Sequence, residues 1–285
     1  MLPKIYSPQT LPELFRALQA LTPQSKIIAG GTDLVIKLHQ GDVAPDALLY
    51  LGALEQSRAI SARPDGLEIG TMATMFSLAG NDLLTGPYAA IKHAAAGVGS
   101  VQIRNSATIG GNIANASPAA DLTPVLWLLG ADAVIASPAG KLRRQPVSEV
   151  VTGIGKHSLA HNEAIVRFVI PSPGSQTQRS AYLKLGSRKA LTISRIGLAA
   201  ACDLDEQGVV SRFELVAGAI SPTPIHVEKA EKYLVGKKPC PDCAAHIGQL
   251  LSDLIWDVIP DRPNTPYKAA AAHGIAEDLF EILFG

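Results

Sequence analysis

The chain has 285 residues, 47% of them hydrophobic and 18% charged, enough apolar content for one large packed domain or two to three smaller ones. Its 25 basic and 25 acidic residues cancel, which excludes a long-range field drawing the protein to nucleic acid or to an anionic membrane surface. No apolar run of membrane-spanning length occurs and the segment Met1–Tyr6 has no signal-like apolar stretch, so no membrane insertion is expected and the cytoplasm is the expected compartment.

The opening residues read as strand, helix, strand, glycine turn and helix. Thr10 and Glu13 have capping-box spacing, and Leu11, Leu14, Phe15, Leu18 and Leu21 recur at helical intervals, predicting a helix with one buried face. Lys26–Ala29 reads as a short strand running into Gly30-Gly31, and Leu34 to His39 as a short helix closed by Gly41. A glycine turn between strand and helix suits phosphate, because free amides and the helix dipole point the same way. Leu48–Leu51 is expected to be a strand and Leu67–Gly70 an exposed alternating one. Ala90 to Val98 reads as helix.

A second glycine-rich turn is expected at Thr108-Ile109-Gly110-Gly111-Asn112. Beyond it Ser117–Pro124 reads as a loop entering a buried helix, with Asp121 in or just before the first turn. Ala133–Ala136 and Glu163–Ile170 read as strands, and Pro171–Gln176 as a linker. Three strands follow (Ala181–Leu185, Gly197–Leu204, Arg212–Gly218), then helices at Ile225–Leu234, Ala244–Val258 and about Tyr267–Leu283.

The common nucleotide fingerprints fail. Gly97-Val98-Gly99 supplies only G-x-G, with Gln102 where the next glycine belongs; the phosphate-loop pattern ending at Gly155-Lys156 has Val150 and His157 at two required positions. The three cysteines, Cys202, Cys240 and Cys243, are too few and odd in number for a secreted disulfide framework. Cys240-Pro241-Asp242-Cys243 is half of a four-ligand metal site at most, and reads as a surface turn carrying two thiols. His93, His157 and His161 show no ligand spacing, so neither a metal site nor a catalytic constellation is assigned.

Two glycine loops, Ala29-Gly30-Gly31-Thr32-Asp33-Leu34 and Thr108-Ile109-Gly110-Gly111-Asn112, with Asp121 nine residues after Asn112, resemble the FAD-binding medium subunit of molybdenum hydroxylases. That group includes the xanthine, carbon monoxide and nicotinate dehydrogenases. The likeness runs through Gln102–Asn105, Thr152–Lys156, Tyr182-Leu183-Lys184, Arg188-Lys189-Ala190 and Ala230–Gly236. It implies an α+β fold: a two-subdomain FAD-binding domain of the PCMH/vanillyl-alcohol-oxidase type over 1–175 (subdomains about 1–55 and 56–175). A C-terminal three-stranded antiparallel sheet with helices would follow over 176–285.

The resemblance also implies roles. Ile27, Ile28, Ala29, Gly30, Gly31, Thr32, Asp33 and Leu34 would wrap the FAD pyrophosphate. Thr108, Gly110, Gly111 and Asn112 would close on phosphate or ribityl oxygens, and Asp121 would accept from ribityl or ribose hydroxyls. Leu159 would pack near the flavin ring, Val98 would offer apolar contact to the adenine, and Lys184 would set a cation at the pyrimidine edge. Asp33 and Asp121 have a plainer reading as helix caps, and Lys184 as a solvated strand residue. Partners implied are a small 2Fe-2S subunit and a large molybdopterin subunit, with NAD or another acceptor. The extra cysteine-bearing cluster loop of some relatives is absent, since no cysteine precedes Cys202. Thr152–Leu159 and Ser221–Ile225 favour the xanthine dehydrogenase-like, purine-hydroxylating branch; Arg188–Ser194 favours the nicotinate branch. A stand-alone flavin oxidoreductase and a cofactor-free scaffold of the same fold remain alternatives.

Overall fold

The computed structural model describes residues 3–175, 178–188 and 191–285. Gln176, which ends the expected linker, and Lys189–Ala190 of the family-like segment lie outside the described residues.

The chain begins β1 (Lys4–Tyr6), α1 (Leu11–Gln19), β2 (Lys26–Ile28), α2 (Leu34–Gln40) and β3 (Ala47–Tyr50). β3 lies between β1 and β2 in a parallel sheet. The apolar stripe of α1 supplies Leu14 and Leu18, which are buried in one core with Leu49 of β3. Thr10 caps α1, its Oγ1 accepting from the Glu13 amide at 3.4 Å; Glu13 Oε2 accepts from the Gln9 amide at 2.8 Å, one residue before the cap amide a standard box would use.

Next come β4 (Ile60–Arg63), β5 (Gly66–Gly70), α3 (Met75–Ala79), α4 (Ala89–Gly97), α5 (Val101–Ser106), α6 (Ile109–Ala114), α7 (Leu122–Leu128), β6 (Asp132–Ala136), β7 (Leu142–Pro146), α8 (Val147–Val150), β8 (Val151–Gly153), β9 (Lys156–His157) and β10 (Ala164–Pro171). β4, β5, β10, β6 and β7 form an antiparallel sheet in that order. The expected exposure of Leu67–Gly70 is corrected: β5 is an inner strand with Leu67 and Ile69 buried, and half-buried Glu68 is paired with Arg63 and Arg167. The 108–112 segment is not a free turn either but the capped start of α6.

The last stretch holds β11 (Arg179–Leu185), β12 (Ile196–Leu204), β13 (Val210–Gly218), β14 (Ile225–His226), α9 (Glu228–Leu234), α10 (Pro241–Val258) and α11 (Thr265–Phe284). The C-terminal sheet therefore has four strands in place of the expected three. Ile225–His226 pairs with the β13 edge, so the helix begins at Glu228: ladder pairing overrides the helical pattern there. α10 starts at Pro241, earlier than the expected Ala244. Cys240 is its N-cap, and the CPDC segment is a helix start, not a surface turn.

Two compact units result. The first comprises Met1–Ser77, Val101–Ala116 and Gly130–Ser172; the second comprises Leu78–Ser100, Ser117–Leu129 and Pro173–Gly285. In the second unit Leu198, Ala200 and Cys202 of β12 join the core made with α10 and α11. Ala199 and Ala201, also buried, point to the opposite side of the strand. Helices α4 and α7 also pack on this sheet, on β11 and on β12–β13 respectively. No helix among the described residues is long and apolar enough to cross a membrane.

Candidate functional site

In the first unit both glycine motifs come together. β2 delivers the chain to Gly30, whose missing Cβ is what allows the contact: an added Cβ would stand 1.8 Å from the Ser106 carbonyl oxygen. Gly31 follows with φ +75°, a conformation that disfavours any side chain. Its carbonyl accepts from Val35 at 2.9 Å and so starts α2. Among the described residues, the amides of Gly30, Gly31, Thr32 and Asp33 donate to no protein acceptor. Ile27 and Ala29 pack against the neighbouring core, and Ile28 and Leu34 are half-buried. α2 buries none of its residues; Val35 and Ile36 stand exposed.

α6 answers the same need for donors differently. Thr108 Oγ1 accepts from the Gly111 amide at 3.1 Å, while the amides of Ile109 and Gly110 donate to the Ala73 and Thr71 carbonyls at 3.0 and 2.9 Å. Its first-turn donors are thus spent inside the protein. Gly110 is glycine for closeness: a Cβ would lie 1.9 Å from Thr71 Oγ1. Gly111 and Asn112 are half-buried, and Thr108 is buried. Asp33 stands at the α2 N-cap position without capping it; its carboxylate accepts from Asn115 Nδ2 at 3.2 Å, at the far end of α6.

The second unit assembles another cluster. Asp121 is the N-cap residue of α7 but makes no cap bond. Its Oδ1 accepts from Tyr182 Oη at 2.7 Å and Ser194 Oγ at 2.5 Å, and its Oδ2 from Lys184 Nζ at 2.8 Å. Asp121, Tyr182 and Ser194 are buried, and only 12% of the Lys184 side chain is exposed. Lys184 also donates to the Thr192 carbonyl at 3.3 Å. Burial, and then the Asp121 charge, hold the Tyr182 phenol well above its usual range, so it stays a donor. Gly97 of α4 lies beside this lysine, whose Cε would be in ordinary contact with a Cβ placed there, at 3.4 Å. Val98, which ends α4 in this unit, and Leu159, which stands between β9 and β10 in the first, are half-buried.

Tyr182 and Ser194 were not among the residues expected from sequence to form the site. Tyr182 was readable, because it lies two residues from Lys184 on one strand and so on the same face. Ser194 reaches Asp121 from a loop after β11, and no local pattern announces it.

Unpartnered amides on a left-handed glycine loop suit the diphosphate of a dinucleotide, whose oxygens need donors and no Cβ in the way. The comparisons agree with that chemistry. Residues 3–173 match the family described as the FAD binding domain in molybdopterin dehydrogenase, and residues 181–274 match the CO dehydrogenase flavoprotein C-terminal domain. The nicotinate dehydrogenase FAD-subunit of Eubacterium barkeri is 31% identical, covering 97% of this chain and 94% of its own. The xanthine dehydrogenase FAD-binding subunit of Escherichia coli O157:H7 is 38% identical over 75% of this chain and 73% of its own. Among solved structures, quinoline 2-oxidoreductase from Pseudomonas putida 86 superposes with a TM-score of 0.89 over 99% of this chain and 97% of that one, at 24% identity. The chain belongs to the FAD-binding, medium-subunit family of molybdenum hydroxylases.

Proposed function

We propose that this protein is the electron-transfer subunit of a cytoplasmic molybdenum hydroxylase complex. In this reading it takes electrons from 2Fe-2S clusters on a small partner subunit, while a large molybdopterin subunit oxidises the substrate. FAD, when bound, accepts electrons singly and delivers them in pairs to NAD or another acceptor. The observation that carries the reading is the Gly30–Asp33 segment, whose four amides lack protein acceptors. These amides, with the Thr32 hydroxyl, hold the pyrophosphate. Thr108 supports that loop by capping the helix whose preceding residues Gly30 packs against. Residues 1–175 form the FAD-binding domain, and 176–285 form a C-terminal domain that adds Lys184 to the cofactor site.

Asp121 receives ribityl or ribose hydroxyls, and its ion pair fixes Lys184 at the edge of the ring. No side chain need act as nucleophile or general acid in this reading; the protein's share is to bind and orient. The substrate we favour is a purine, as in a xanthine dehydrogenase. A pyridine such as nicotinate is the second reading, favoured by the relative that covers nearly the full chain.

The purified chain is expected to show the visible absorbance of an oxidised flavin, and Gly31→Val to lose it, because a branched residue is strained at this φ and its Cβ meets Val35. A colourless wild-type protein that takes up no added FAD would sink the proposal.

A further inference from the structure

The CPDC segment at the start of α10 has a specific geometry. Cys240 caps α10 and is exposed; Cys243, in the first turn, is buried. Their sulfurs lie 2.7 Å apart, about 0.7 Å more than a disulfide bond. The Cys243 amide donates to Cys240 Sγ at 3.3 Å, which holds the outer sulfur over the inner one. A groove of about 630 Å³ opens beside Cys240, walled by Pro239, Pro241, Phe280 and Phe284, so the outer sulfur can be reached by a small molecule. No group of metal-ligating side chains forms here among the described residues.

We propose that Cys240 and Cys243 form a thiol–disulfide exchange site that low-molecular-weight disulfides convert reversibly to an intrachain disulfide. Exposure assigns the order of events. Cys240, as thiolate, attacks one sulfur of the incoming disulfide; that bond breaks and one thiol departs, leaving a mixed disulfide on Cys240. Cys243 then gives up its proton to solvent and attacks Cys240 Sγ, expelling the second thiol. Two protein thiols are oxidised and one external disulfide is reduced to two thiols. Burial, followed by the hydrogen bond in which its thiol engages Cys240 Sγ, pushes the Cys243 thiol up, which suits a group that reacts only after its partner has been engaged. Cys202, inside β12, is pushed up to about 12 by burial and serves as an internal control.

The test uses the protein in reduced and oxidised glutathione mixtures of stepped ratio, followed by alkylation and peptide mass analysis. The expected result is loss of two of the three alkylatable thiols in one step, with the two lost hydrogens confined to the peptide holding Cys240 and Cys243, and full recovery on reduction. With glutathione disulfide, Cys243→Ser is expected to stop at a single adduct on Cys240, and Cys240→Ser to react at least tenfold more slowly. Retention of all three thiols at every ratio, or an adduct on Cys202 in the native protein, would overturn the proposal. The wild-type titration decides the matter even if a variant folds poorly.

Discussion

At the scale of single residues the Asp121 cluster shows how one carboxylate serves two ends. Three donors converge on it from β11 and the following loop, and two of them, Tyr182 and Ser194, are buried. Breaking a buried pair costs more than the pair contributes, because the remaining charge is stranded. Asp121→Ala is therefore expected to lower unfolding stability by about 3 kcal/mol, against about 1 kcal/mol for Tyr182→Phe, measured by denaturant titration. Equal losses would mean the network does not depend on its charge. If Lys184 faces the flavin as proposed, Lys184→Met lowers the midpoint potential by about 20 mV, the equivalent of ~1 kcal/mol for a two-electron couple; an unmoved potential confines Lys184 to the ion pair. The Arg143–Glu163 fork gives a pH effect. The Arg143 hydrogen bonds hold the Glu163 carboxyl below its usual range, so its contribution is present at neutral pH and fades as pH falls through the carboxylate range. Arg143 is 40% exposed, so water screens the pair and its loss in acid costs about 1 kcal/mol or less.

Among the elements, the two glycine motifs look alike in sequence and are built differently. The Gly30–Gly31 segment is open backbone with donors to spare, whereas Thr108–Asn112 is a capped helix start whose first donors are already taken. Thr108→Ala is expected to cost about 1 kcal/mol of stability, read as a shift in melting temperature, with flavin content weakened only through looser support of the Gly30 loop. Gly30→Ala acts more directly, since its Cβ would overlap the Ser106 carbonyl and push the loop away from α5. Flavin retained at wild-type level in Gly30→Ala would separate the cofactor from this loop. α1 and α10 show what local pattern reveals: leucine periodicity and a threonine cap were enough for the first. The second was missed at its start because a cysteine N-cap followed by proline resembles a turn.

For the whole molecule, the division into units cuts across the order of the chain. α4 and α7 come from the middle of the sequence yet pack on β11, β12 and β13. A fragment of residues 176–285 would leave that apolar surface of the sheet bare. It is expected to aggregate or to unfold without a cooperative transition; a sharp transition and dispersed amide resonances in the isolated fragment would refute this. The sequence by itself determined most of the local elements, because capping spacings, apolar periods and Gly-Gly steps are short-range properties that a few residues express, and the fold class followed from the family resemblance that the glycine motifs carry. Only the tertiary structure decided the rest: which glycine loop keeps free amides, and that Asp121 holds Lys184 where a cap was the plainer reading. It also decided that β5 is buried and that a fourth strand displaces the start of a helix. Each of these depends on what a distant segment brings to the other side of a hydrogen bond, and a polar group's partner is chosen by proximity in space, not along the chain.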